Sequence, residues 1–195
     1  MIDSKTIADL RALTGAGVVD CKKALDETAG DIAKAAELLR KKGIAKAGGK
    51  AERVTKEGLI HSYIHGSKVG VLVEVQCETD FVARTEQFQN FVHDIAMHVA
   101  AANPLYLTAD QVPAEVLEKE KEIVMAEFVG SSKPQEMLEK IAQGKLEKYY
   151  TETCLLQQRF VKDEDVTVGD LLKTTIAKTG ENIQIKRFVR FAMGE

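Results

Sequence analysis

The sequence predicts an α+β protein: a three-helix unit at the N-terminus, followed by a core in which a small antiparallel sheet is packed with helices. Three observations lead there. Residues 1–42 carry apolar side chains at helical spacing, cut by glycine-bearing breaks. From Glu57 the apolar period changes to two, in a pair of runs that flank a short loop with glycine. Between this pair and a last alternating run near the C-terminus lie segments whose apolar residues step by three and four.

The first helix is expected from Asp3 or Ser4 to Leu13, with Ile7, Leu10 and Leu13 on one side, and the closely spaced glycines of "TGAG" break it. The second covers about Val18 to Thr28, with Val18, Cys21, Ala24 and Leu25 inward. Gly30 supplies a stop and Asp31 an N-cap for a third helix running to about Lys42. Three helices on so few residues make a thin core. The basic, small-residue stretch "KKGIAKAGGKAER" reads as a linker, partly helical. It misses the phosphate-loop pattern, because Gly49 stands where lysine is required after Gly48 and Ala51 stands where Lys50 should be followed by a hydroxyl.

"GLIHSYIH" and "VGVLVEVQC" around "GSK" form the hairpin, with Val69, Val71, Val73, Val75 and Cys77 on one face. One long helix is expected from about Asp80 to Ala102, carrying Phe88, Phe91, Val92, Ile95 and Val99 inward and ended by Asn103-Pro104. Further helices are expected from Pro113 to about Phe128 or Val129, from about Pro134 to Tyr150, and from Val168 to Lys178. The last strand, "NIQIKRFVRFAMG", places Ile183, Ile185, Val189, Phe191 and Met193 on one face, interrupted by Arg187. The domain expectation is a three-helix module over 1–42, a linker over 43–56 and an α+β core over 57–195.

Charge and composition narrow the function. With 45% apolar and 29% charged residues the chain can pack a core. Its net charge of −3 is split, residues 1–53 holding 11 basic against 8 acidic side chains, and lacks the basic footprint of a nucleic-acid binder. No apolar run suits a membrane span, and the N-terminus resembles neither a secretory signal nor a transit peptide, so a soluble cytoplasmic protein is expected. The three cysteines are far apart and odd in number, which suits reduced buried thiols. His61, Tyr63 and His65 share a strand face, but no further ligand stands at supporting spacing, so no metal is expected. There is no nucleophile elbow, and Cys77 fits a core better than a nucleophile. No catalytic site and no cofactor are expected.

The stretch Thr79-Asp80-Phe81-Val82 stands out. Thr79 can cap a helix and Asp80 faces its positive end. Extended backwards, however, the apolar stripe meets Arg84 and Thr85 and becomes apolar again only at Phe81 or Val82. One of those two can fill the core while the other points out. An exposed phenylalanine on a stiff junction is a ready anchor for a partner.

"TGAGVVDCKKAL" (Thr14 to Leu25) with "CETDFVAR" (Cys77 to Arg84), "HSYIHGSKVGVLVEV" (His61 to Val75) and "AKTGENIQIKRFVRF" (Ala177 to Phe191) closely resembles the elongation factor Ts family. The resemblance spans nearly the whole chain. It implies a guanine nucleotide exchange factor for elongation factor Tu, with no catalytic residues of its own and no direct binding of nucleotide, nucleic acid or membrane. The N-terminal unit would be the family's ubiquitin-associated-like module, docking on the GTPase through Lys22. Asp80 and Phe81, within Thr79 to Val82, would reach the magnesium site of the partner, with Phe81 entering an apolar pocket. His65 and Thr179–Gly180 match further contact segments. Long members carry two copies of a half-core, whereas here one short core holds all these segments, so a homodimer is implied. Val18 and Val19 stand where methionines are often found. The alternative from a different class is a non-enzymatic adaptor or chaperone-like module that uses only the three-helix unit.

Overall fold

The structure, a computed structural model, describes residues 2–126 and 135–195, with side chains for all of these except 44–47. It contains α1 (Ser4–Thr14), α2 (Val18–Glu27), α3 (Ile32–Gly48), β1 (Glu57–His65), β2 (Val69–Cys77), α4 (Asp80–Ala83), α5 (Glu86–Ala102), α6 (Ala114–Ala126), α7 (Gln135–Thr153), β3 (Arg159–Phe160), β4 (Asp163–Thr167), α8 (Val168–Thr179) and β5 (Ile183–Ala192). The sheet order is β1-β2-β5, with β3-β4 as a separate antiparallel pair. The fold class is therefore α+β with three N-terminal helices. The chain divides into two compact units: Met1–His61 with Val73–Asp94 and Asp170–Lys186, and Ser62–Leu72 with Ile95–Gly169 and Arg187–Glu195.

In the first unit, α1 to α3 pack together around Leu10, Cys21, Ala24, Leu25 and Ala35. Asp3 caps α1 by accepting the Thr6 N–H at 2.7 Å, and Asp31 likewise accepts the Lys34 N–H at 3.0 Å. α1 ends at Gly15, whose N–H returns to the Arg11 carbonyl. Two expectations shift here. Leu13 and Val18, expected inward, are exposed, because Leu10, Cys21, Ala24 and Leu25 already fill so small a core. α3 continues six residues past Lys42 to Gly48; its lysines and alanines are good helix formers, and Gly43 lies inside it. The segment after it is tied down: Lys50 Nζ donates to the Gly180 carbonyl at 2.7 Å, and Asn182 Nδ2 donates to the carbonyls of Ala51 and Arg53.

The hairpin forms as expected, the Lys68 N–H bonding the His65 carbonyl at 3.0 Å. Val71, Val73, Val75 and Cys77 are buried in alternation along β2. Gly58 can only be glycine, since a Cβ there would lie 2.1 Å from the Val75 carbonyl oxygen. The expected single helix from Asp80 is two. α4 is one turn, and Thr85 then starts α5 afresh: its hydroxyl accepts the Phe88 N–H at 3.3 Å and its carbonyl accepts the Gln89 N–H at 3.0 Å. Phe88, Phe91, Val92, Ile95 and Val99 are buried along α5 as the spacing predicts. In β5 only the first half of the expected apolar face is covered: Ile183 and Ile185 are buried, whereas Arg187, Val189, Phe191 and Met193, in the same alternation, are exposed. The ends placed at Phe128, Val129 and Pro134 lie outside the described residues.

The second unit holds a buried polar joint. His98 is fully buried; its Nε2 donates to Gln158 Oε1 at 2.9 Å and its Nδ1 accepts the Val161 N–H at 3.3 Å. The Gln158 amide nitrogen is used as well, Nε2 donating to the carbonyls of Glu152 and Ala102. Burial pushes the His98 imidazole below its ordinary value, with Gln158 offsetting part of that. A second proton would also set Nδ1–H against the Val161 N–H. The neutral ring's contribution to stability is therefore complete above the unfolded-state value of about 6.5 and is lost as pH falls below it. The urea midpoint should drop between pH 7.5 and 5.5, and less in His98→Gln. An equal drop in both proteins would remove the assignment to His98.

Candidate functional site

The corner between β2 and α4 is held by a crossed pair of carboxylates. Glu181, at the turn from α8 into β5, accepts the Glu78 N–H at 3.1 Å and the Thr79 N–H at 3.0 Å on Oε2, and the Thr79 hydroxyl at 2.6 Å on Oε1. Glu78 returns the contact, its Oε1 accepting the Asn182 N–H at 2.6 Å and Arg53 Nη1 at 3.4 Å. The Asn182 N–H, together with Arg53, holds the Glu78 carboxyl below the usual carboxylate range. The four bonds between Glu78–Thr79 and Glu181–Asn182 join residues more than a hundred positions apart, and no periodicity in the sequence announces them.

Thr79 serves as the N-cap of α4, accepting the Val82 N–H at 3.4 Å. Behind it, Cys77 is fully buried and its thiol donates to the Thr79 carbonyl at 3.1 Å. Burial, with the Glu181 charge beside it, pushes the Cys77 thiol up to about 11, so it is a packing group and a poor nucleophile at neutral pH. Ala83 is the residue of α4 that enters the core, and Val82 is half-buried. Phe81 is 79% exposed. Of the two apolar residues at the corner, the aromatic one therefore faces solvent. Asp80 is half-exposed and pairs with Arg84 at 2.9 Å, a surface ion pair that water and salt weaken.

The remaining expected residues fall as follows. Thr179 and Gly180 end α8 directly before Glu181. Gly180 has φ +81, a conformation that suits glycine, and its N–H bonds the Ile176 carbonyl at 3.0 Å. The first unit thus brings Thr179–Gly180 to the same joint as Thr79, Asp80, Phe81 and Val82. Lys22 is exposed on α2, in a helix whose neighbouring apolar residues Val18 and Val19 are exposed too. His65 belongs to the second unit, exposed at the hairpin end, with its Nδ1 3.2 Å from the Tyr63 hydroxyl and the two rings stacked. His61, expected to share a face with His65, meets His93, with Nε2 and Nδ1 3.2 Å apart. Burial and the neighbouring His93 both lower the His61 value. Among the described residues, no group of three His, Cys, Asp or Glu side chains is placed to hold a metal, and no helix is long and apolar enough to cross a membrane.

Truncating an exposed ring should leave the fold alone. Phe81→Ala is expected to change unfolding free energy by less than about 0.5 kcal/mol, whereas Val73→Ala, which empties a buried position, should cost about 2 kcal/mol. Parallel melts check this, and equal destabilisation would place Phe81 in the core.

A family model described as "Elongation factor TS" matches residues 4–195. The chain is 55% identical over 196 residues to "Elongation factor Ts" of Thermoanaerobacter sp. (strain X514), covering 100% of this chain and 96% of that relative. It is 55% identical to "Elongation factor Ts" of Thermosipho melanesiensis, covering all of both chains. It is 56% identical over 195 residues to that of Geobacter metallireducens, covering 100% of this chain and 90% of the relative. The family model over residues 4–195 and these matches along the full length lead to one conclusion: the chain belongs to the elongation factor Ts family.

Proposed function

We propose that this chain is a guanine nucleotide exchange factor for elongation factor Tu, acting in the cytoplasm without catalysing a covalent step. The observation that carries the proposal is a large aromatic side chain, 79% exposed, on a corner fixed by four hydrogen bonds between two distant chain segments. A monomer has no use for such a ring in water, whereas an interface does.

The mechanism needs only differential binding. A GTPase holds GDP through magnesium and a cradle of backbone amides. A protein that binds the nucleotide-free form more tightly weakens GDP by the same ratio that GDP weakens it. Phe81 enters an apolar pocket beside the nucleotide site. Asp80 brings negative charge toward the magnesium and phosphates, and leaves Arg84 readily because that pair is exposed. The three-helix module over residues 1–42 docks separately, with Lys22 amid exposed Leu13, Val18 and Val19. His65 and Thr179–Gly180 add contacts from the core over 57–195.

The core acts as a homodimer, in which one subunit offers Asp80 and Phe81 while the other offers His65 to the same GTPase. Ile64, Leu72, Val189, Phe191 and Met193, all in the second unit, support this reading. Phe191 and Met193 are 70% and 79% exposed. Met193 N–H bonds the Lys68 carbonyl, which places the end of β5 beside the hairpin turn. So many large apolar side chains on neighbouring strands suit a second copy of the same face better than water.

Burying a phenylalanine side chain is worth about 1.5–3 kcal/mol, roughly 10- to 150-fold in an equilibrium. Phe81→Ala should therefore slow factor-stimulated release of labelled GDP from elongation factor Tu by about that factor. Unchanged release would refute the wedge. Light scattering should give twice the monomer mass for the native chain and the monomer mass for Phe191→Glu. A native monomer that still exchanges nucleotide would refute the shared site.

A further inference from the structure

We infer that Glu181 is a positioning residue for nucleotide exchange, locking the β2–α4 corner so that Phe81 and Asp80 point outward before a partner arrives. The inference rests on the exchange reading above and adds to it a residue outside the expected contact set.

α4 has four residues. A single helical turn is not stable by itself, because fixing its dihedrals costs more than its hydrogen bonds return. It is cut off from α5 by the fresh cap at Thr85, so α5 does not hold it in line. Its direction must be set from outside. Asp80–Arg84 lies within the turn and on the surface, and so cannot orient it against the rest of the unit. The Thr79 cap is also local. Among the described residues, Glu181 supplies the carboxylate contacts from another element to the backbone of Glu78, the backbone of Thr79 and the Thr79 hydroxyl. These are the residues directly before Asp80. Charge-assisted bonds of this kind are short and directional, and three on one carboxylate fix orientation as well as distance. Glu181 is anchored in turn by its neighbour: the Asn182 N–H is held by Glu78 at 2.6 Å, and the Asn182 side chain binds the carbonyls of Ala51 and Arg53.

The apolar core nearby, Val75, Cys77 and Phe88, is buried on β2 and α5, outside the turn that this carboxylate orients. Loss of Glu181 should therefore free the corner without unfolding the unit. An unlocked Phe81 must be ordered at the moment of binding, and that cost appears as slower exchange. The geometry, not the charge, is what matters. Glutamine at 181 can still accept the two backbone N–H groups and donate to Thr79 Oγ1.

The experiment is a double-mutant cycle on GDP release from elongation factor Tu, using the full chain. Glu181→Ala should lower the stimulated release rate about tenfold, with a melting temperature near that of the native chain and faster amide hydrogen exchange at Glu78 and Thr79. Glu181→Gln should recover most of the rate. In the Phe81→Ala background, Glu181→Ala should add much less than its tenfold, because the ring it positions is gone and only Asp80 is left to be misplaced. Native-like release in Glu181→Ala, or losses that multiply in the double variant, would overturn the inference. Should Glu181→Ala not fold, Thr79→Val removes the bond at 2.6 Å together with the longer cap bond to the Val82 N–H while keeping the side-chain shape, and must show the same non-additivity. A native chain that leaves GDP release unchanged contradicts the exchange reading itself. Native stimulation with an indifferent Glu181→Ala contradicts only the part assigned to Glu181.

Discussion

Two carboxylates exchanged between neighbouring turns hold this protein's working end in place. Glu181 takes the backbone N–H groups and hydroxyl at the start of α4, and Glu78 takes the Asn182 N–H in return. Each satisfies donors that the end of a strand and the beginning of a helix leave open. Without this joint the exit of β2 and the exit of α8 would be two loose loops. With it they are one rigid corner, and the segment 50–53 is bound to the same place through Lys50 and Asn182.

The corner separates two demands that a sequence usually mixes. Packing is met by small or inward residues, Cys77 and Ala83, with the Cys77 thiol kept protonated by burial. Recognition is left to the large ring of Phe81, free of any packing duty. The three-helix module repeats the division on a smaller scale: Leu10, Cys21 and Leu25 form its core, while Leu13, Val18 and Val19 stay outside. A thin core leaves apolar residues over, and the proposed function gives them a partner.

Local chemistry made much of this legible in the sequence. Asp3, Gly15 and Asp31 mark helix ends by capping rules, and the alternation from Val69 to Cys77 marks a half-buried strand. The stripe of Phe88 to Val99 marks a helix buried on one face. Where the reading failed, a local signal was overruled or too short. Thr85 looked like a polar interruption of one helix and is the cap of a second. β3 and β4, two and five residues long and the second rich in acid, carry no period to detect. In β5 the apolar alternation runs on past Ile185 but its face is no longer covered, which spacing alone cannot foresee. Of the site, Phe81 was visible with its neighbour Asp80 because the helical stripe, broken at Arg84 and Thr85, turns apolar again only at Phe81 or Val82. Glu78, Glu181 and Asn182 were not, since bonds across a hundred residues leave no mark in spacing.

The central claim is thermodynamic: the exposed ring and its neighbouring acid favour a GTPase without its nucleotide. Calorimetric titration of this chain into elongation factor Tu, once stripped of nucleotide and once saturated with GDP and magnesium, tests it directly. The account predicts markedly tighter binding to the stripped form, by the same ratio as this chain weakens GDP. Equal affinity for the two forms would contradict it.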